Sequence, residues 1–159
     1  MTDDTPAPDR TATQRVSDWP SDVIAAGMVR YTPYAQALGM QYVSSSPNRG
    51  TILLPWRADI VGIDGTDIIA AGALTALIDH ACGLAIMAGL GMAAAPATLD
   101  LRIDHMRPAA PRASVTCAAH VYKATRSIAF VRAEAWDVSP DDPVATAQAA
   151  FSLNRRDAK

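Results

Sequence analysis

Only two cysteines, Cys82 and Cys117, occur in the 159 residues, far apart and with no CxxC spacing. That excludes a disulfide framework and a cysteine metal centre, so both thiols read as small, reduced core residues. The three histidines, His80, His105 and His120, form no HExxH or HxH group, which leaves a metal site without sequence support. Charge of one sign is scarce as well: a net charge of -2 offers no basic excess to a nucleic-acid backbone or an anionic membrane surface. The opening "MTDDTPAPDRTATQR" carries acids and no apolar run, so it reads as neither a secretory signal nor an anchor, and the expected location is the cytosol. The most hydrophobic stretch, "ACGLAIMAGLGMAAAPA", is broken by glycine and proline and follows an ionisable pair, which suits a protein core better than lipid.

What is present points to one domain with a substantial core, since 50% of the residues are hydrophobic and the length is short for two domains. Residues 1–18 are rich in Asp, Thr, Pro and Ala and are expected to be a disordered tail ahead of a single domain at 19–159. Residues 22–38 have helical spacing that Pro33 splits in two. "GMQYVSSSPNRGTILLPW" reads as two strands turned at residues 48–50. Residues 69–88 are almost all apolar or small, with no proline, and predict a buried helix. In "TLDLRIDH" the apolar Leu99, Leu101 and Ile103 alternate with Asp100, Arg102 and Asp104, the period of a strand with one buried face. "ASVTCAAHVY", "RSIAFVRAEAW" and "PVATAQAAFSL" follow as further strands, giving four in antiparallel succession. A sheet of this kind curled around one helix, with a second subunit across an edge, would enclose a helix that is apolar nearly all round. A homodimer or homotetramer is therefore expected.

The long helix carries one polar line. At about 100° per residue, Thr75, Asp79 and Cys82 fall on one stripe, opposite Leu74, Leu77, Ala81 and Leu84. Asp79 sits mid-helix, where it can neither cap the N-terminus nor gain much from the dipole. Two readings are open for it: a structural partner of a core Arg or backbone group, or a carboxylate poised by apolar surroundings as general base or nucleophile toward an activated carbonyl. His80, about a quarter turn away, reads as a hydrogen-bonded structural or interface histidine.

The stretch "AAGALTALIDHACGLA" resembles the central helix of hotdog-fold acyl-CoA thioesterases, the 4-hydroxybenzoyl-CoA thioesterase superfamily in its phenylacetate-type (PaaI-like) branch. "ADIVG", "LDLRIDHMRPA", "RSIAFVRAEAW" and "VATAQAAFSL" continue the likeness in order, over residues 34–153. The resemblance implies an α+β hotdog fold, hydrolysis of an acyl-CoA thioester to free acid and coenzyme A, and no cofactor or metal beyond the coenzyme A of the substrate. It places Asp79 where the family has the acid that attacks the thioester carbonyl or activates water, and leaves both routes open. It makes the Ala71 backbone N–H the oxyanion donor, a role that suits the orphan N–H groups of a helix start. Thr98 matches a Ser/Thr that positions the attacking water; a strand-end hydroxyl bonded to backbone is its other reading. Arg126 and Ser127 match a strand start that approaches the pantetheine or phosphates of coenzyme A; an exposed strand-end Arg with no such role is the other reading. Gly72, Thr75 and Asp64 complete the expected substrate contacts.

The family's His-Gly-Gly is here Ala70-Ala71-Gly72, and the Asn that commonly precedes it is replaced by Ile63 or Asp64, depending on how the loop aligns. A backbone donor survives this change if the Ala71 conformation permits it. Loss of the Asn/His polar pair raises an alternative, an acyl-CoA or lipid-binding hotdog protein without catalysis. A hotdog hydratase ranks last, because it needs an Asp and a His several residues apart and here they are adjacent. The alanine runs at residues 93–97 and 145–150 either leave room for a bulky acyl chain or let sheet and helix pack closely.

Overall fold

Pro33 ends one helix and begins the next. In the computed structural model, which describes residues 21–90 and 94–155, α1 spans Ser21–Arg30 and α2 spans Pro33–Ala37. The proline takes the first helical turn of α2, where its missing N–H would have had no partner anyway. The expectation for residues 1–18 lies outside the described residues.

Gly39, at φ 71°, then turns the chain into β1 (Gln41–Ser46), which pairs antiparallel with β2 (Arg49–Leu54). The turn falls one step earlier than the sequence suggests: Pro47 and Asn48 make it, with Asn48 at φ 64°, and Gly50 lies inside β2. The glycine is there for clearance. A Cβ at Gly50 would stand 2.6 Å from Leu84 Cγ and 2.9 Å from the Ala85 backbone nitrogen, so the strand can approach the long helix only without a side chain.

That helix, α3 (Ala71–Leu90), was expected within two residues of its observed ends. It is long and apolar enough to cross a bilayer, but over half of its most apolar window is buried inside the fold. It lies along the inner face of a six-stranded antiparallel sheet ordered β1-β2-β4-β5-β6-β3, with β3 at Ala94–His105, β4 at Val115–Ala124, β5 at Ile128–Trp136 and β6 at Ala145–Arg155. This is the α+β hotdog architecture.

Leu77, Leu84 and Ile86 of α3 meet Ile52, Leu54, Val115 and Val131 of the sheet in one buried core. Facing them on β5 and β6 are Ala133, Ala135, Ala145, Ala147 and Ala149, all buried. α3 approaches β2 and β4 most closely and scarcely touches β6, so the buried alanines of β6 line the core without bringing that strand against the helix. Cys82 and Cys117 are both fully buried free thiols, and burial pushes Cys82 up to about 12. Cys82 therefore leaves the helix's polar line, which is reduced to Thr75 and Asp79.

Two expectations fail in β3. It does not pair with β4; it crosses over to the far side of β6 and becomes an edge strand. Local alternation carries no information on which strand becomes a neighbour. Nor is Leu99 a core residue: the register shifts between Thr98 and Asp100, and the bulged Leu99 is 59% exposed. The extra residue puts Thr98 opposite buried Phe151 on the helix side and Asp100 opposite Ala150 on the outer side.

Candidate active site

The segment ahead of α3 is a tightly held loop. Val61 and Ile69 form an isolated antiparallel bridge, the Gly62 N–H donates to Ile68 O at 3.0 Å, and the Ala70 N–H donates to Ile60 O at 2.9 Å. At its tip Gly65 (φ 79°) and Asp67 (φ 54°) take the left-handed conformation that lets so short a loop reverse. Asp67 is gripped from two sides. Its carbonyl accepts from Trp56 Nε1 at 2.7 Å and from the Arg112 N–H at 2.9 Å, while its carboxylate accepts from Arg112 Nε at 2.8 Å. The Arg112 guanidinium also sits 5.6 Å from the centre of the Trp56 ring.

This bracing fixes where α3 begins. The Ala73 and Leu74 N–H groups both donate to Ala70 O, whereas among the described residues neither the Ala71 nor the Gly72 N–H has an acceptor. Free N–H groups at the positive end of a twenty-residue helix form a pre-aimed donor for an oxygen that gains negative charge. Beside them opens a cavity of about 730 Å³ with mainly apolar walls, among them Ile63, Ile68, Ile69, Leu74 and Met106. Ala71 lines it and Gly72 does not.

Two turns further along α3, Asp79 is half-buried and accepts a hydrogen bond from Thr98 Oγ1 at 2.8 Å. The β3 bulge makes this contact possible by turning Thr98 toward the helix. With its proton committed to Asp79 Oδ1, the Thr98 oxygen keeps lone pairs that can accept from a water, and Asp79 Oδ2 has no partner among the described residues. His80 diverges from this pair. Its ring approaches the Met28 backbone carbonyl under α1, its Nε2 is buried without a partner among the described residues, and burial lowers its pKa against the opposing pull of Asp79 and Met28. Acid and histidine do not act on a common point, as a hydratase pair would have to.

The remaining candidates separate. Thr75 is exposed and bonds back to Ala71 O at 3.1 Å; Asp64 is exposed at the loop tip and does not line the cavity, whereas Ile63 does. Arg126 and Ser127 are exposed in the turn joining β4 to β5. Ser127 O accepts the Leu153 N–H at 2.8 Å, and Leu153 in turn pairs with Pro96, so this turn sits at the end of the sheet where β3 runs toward Thr98. Among the described residues no three His, Cys, Asp or Glu side chains converge as a metal-ion group would need.

Comparison with known proteins agrees with the fold. A family model described as the thioesterase superfamily matches residues 67–144. A Pseudomonas aeruginosa protein of known structure is 31% identical, over 84% of this chain and 98% of its own, with a TM-score of 0.76. The chain belongs to the thioesterase superfamily. Within it, a mutant form of the phenylacetic acid degradation protein PaaI from Thermus thermophilus is 27% identical, over 77% of this chain and 99% of its own, at a TM-score of 0.65. The E. coli PaaI protein from the phenylacetic acid degradation operon, 20% identical over 81% of this chain and 89% of its own with a TM-score of 0.71, shares the fold. No curated protein matches in sequence.

Several residues that shape this thioesterase-superfamily site gave no signal in the sequence. Trp56, Asp67 and Arg112 brace the loop from three separate segments with no shared period. Arg107 is a second case: it lines the cavity and forms a fork to Asp137, with Nη2 to Oδ1 at 2.7 Å and Nη1 to Oδ2 at 3.0 Å. Asp137 has 1% of its side chain exposed and also accepts from the Ala110 and Val138 N–H groups, so its pKa lies well below the usual carboxylate range. Arg107 Nε lies 3.0 Å from Asp142 Oδ2 but is too poorly aligned for a hydrogen bond. The run "DHMRPA" held Arg107 in view, but nothing in it indicated a partner thirty residues later.

Proposed function

We propose that this protein hydrolyses an acyl-CoA thioester, with Asp79 as general base on a water that Thr98 holds and the Ala71 N–H as oxyanion donor. The observation that carries the reading is the Thr98–Asp79 bond, which leaves one carboxylate oxygen and the hydroxyl lone pairs free to accept from a water. The water loses its proton to Asp79 as its oxygen attacks the carbonyl carbon; the C–S bond then breaks, and the departing thiolate of coenzyme A takes that proton back from the Asp79 carboxyl, which restores the carboxylate. No metal or redox cofactor enters these steps. Gly72, Thr75, Arg126 and Ser127 are read as substrate contacts, with the last two on the coenzyme A side.

One chain cannot supply a whole site. Ala71 and Asp79 lie about 12 Å apart along the helix at 1.5 Å per residue, too far for both to act on one carbonyl. We infer that Ala71 of one protomer and Asp79 of its partner face the same thioester in a homodimer or a dimer of dimers. The edge strand β3 supports this: it carries Thr98, its outer side is unpaired among the described residues, it exposes Leu99 (59%), and Met106 just past its end is exposed too (62%). The cavity beside Ala71 would take the acyl group. Arg107 is paired with Asp137, so the guanidinium in the walls is not free to receive an acyl carboxylate, which favours an uncharged acyl group.

The test is thiol release from hexanoyl-CoA, phenylacetyl-CoA and succinyl-CoA. The first two should turn over and succinyl-CoA should not, and Asp79→Asn should lower kcat on the order of 10². Measurable binding of these esters by wild type without hydrolysis would replace the enzyme reading with acyl-CoA binding alone, the outcome that Ala70-Ala71-Gly72 in place of His-Gly-Gly makes worth testing.

A further inference from the structure

We propose that the His105 imidazole donates a hydrogen bond to the thioester carbonyl oxygen, as a second oxyanion donor beside the Ala71 N–H. The inference rests on the hydrolase reading and deepens it. An oxygen developing negative charge accepts along more than one lone-pair direction, and a single backbone N–H leaves it short of donors. Gly72, the other free N–H of the helix start, does not face the cavity, and Ala70 has no polar side chain to offer.

Within the Ala71 protomer a donor would come from the cavity wall, where among the described residues three side chains can donate: Thr66, Arg107 and His105. Thr66 Oγ1 already donates to Ile63 O at 2.7 Å and accepts from the Ile68 N–H. Arg107 is taken up by Asp137, Pro108 O and Asp142 O. Of the three, His105 makes no side-chain hydrogen bond or ion pair among the described residues; it lines the cavity opposite Ala71, and its pairing with buried Ala145 puts its side chain on the helix-facing side of β3.

Its backbone is nonetheless rigidly placed. His105 is the last residue of β3 and pairs with Ala145; the next two N–H groups, of Met106 and Arg107, both point at Val144 O, at 2.9 and 3.4 Å. The Arg107–Asp137 fork locks the chain just beyond. An uncommitted donor on a fixed backbone, at the rim of an apolar cavity, needs little reorganisation to meet a carbonyl.

The experiment compares wild type, His105→Ala and His105→Gln on phenylacetyl-CoA and hexanoyl-CoA, and adds a non-hydrolysable ketone analogue with a ¹³C-labelled carbonyl. His105→Ala should lower kcat by about 10² with KM changed less than about threefold, and His105→Gln, which keeps an N–H donor, should recover part of the loss. The bound carbonyl ¹³C signal should move downfield in wild type and return toward its free position in His105→Ala. Unchanged kcat, or a rise in KM alone, overturns the proposal while leaving the hydrolase reading standing. If wild type hydrolyses neither ester, that reading fails first; the carbonyl signal then decides His105 by itself, and a signal unaffected by the substitution, or no binding at all, overturns it.

Discussion

Asp79 and His80 share a helix turn, and each is set by what lies across from it. Thr98 reaches Asp79 only because one extra residue in β3 reverses the strand's facing, so the contact depends on a hydroxyl at that position. Thr98→Val should lower kcat by about tenfold or more with the fold intact, and Thr98→Ser should restore most of it; equal rates in all three would assign Thr98 a packing role. His80 instead affects stability. Its folded pKa lies below the ordinary value of 6.5, so the unfolded chain binds the proton more readily and stability is lost as pH falls through 6.5. Asp137, whose folded pKa is depressed below 3.8, contributes stability that is full above that value and is lost only in more acidic solution. The melting temperature should therefore decline in two separate windows, and His80→Gln should flatten the upper one without touching the lower.

At the scale of elements, α3 meets the sheet through glycine and alanine, and the clearest test is where β2 crosses it. Gly50→Ala puts a methyl group within 3 Å of both Leu84 and the α3 backbone at Ala85, and backbone cannot swing aside as a side-chain tip can. A loss of about 1–3 kcal/mol is expected from overpacking, read from a denaturant midpoint; a wild-type midpoint would show that helix and sheet are less tightly engaged. The same crossing shows what the sequence made legible. α3 itself is plain, because twenty residues that are nearly all apolar or small, without proline, fit little else, and Pro33 marks the helix break by its own geometry. Gly50, two residues after Asn48, has the composition of a turn, and its real role depends on α3, which comes about twenty residues later. Leu99 misled for a related reason: alternation assumes an unbroken register, and the bulge that aims Thr98 leaves no local mark. The pairing of β3 with β6, and the grip of Trp56 and Arg112 on Asp67, are long-range contacts that no window of sequence contains. Asp79 could be picked out as an acid on an apolar helix; the free His105 could be picked out only once the cavity had shown that its other donors were occupied.

For the whole molecule, the question is whether a site belongs to one chain or to two. Asp79→Asn removes the base, and Ala71→Pro removes the N–H donor at a position in the first helical turn where proline is tolerated, so each variant alone should be nearly inactive yet folded. Mixed in equal amounts and allowed to exchange subunits, they form heterodimers in half of the dimers. If the site is shared, each heterodimer has one site with both defects and one site with none, and about a quarter of wild-type turnover should return. If each chain instead carried its own complete site, every site in the heterodimer would keep one defect and mixing would restore nothing. The helix geometry favours recovery, because no bending of α3 brings an N–H at its first turn and a carboxylate two turns later onto the same carbonyl. Absence of recovery in a mixture whose exchange has been confirmed by mass spectrometry would place the oxyanion donor elsewhere on the Asp79 protomer and remove Ala71 from the reaction.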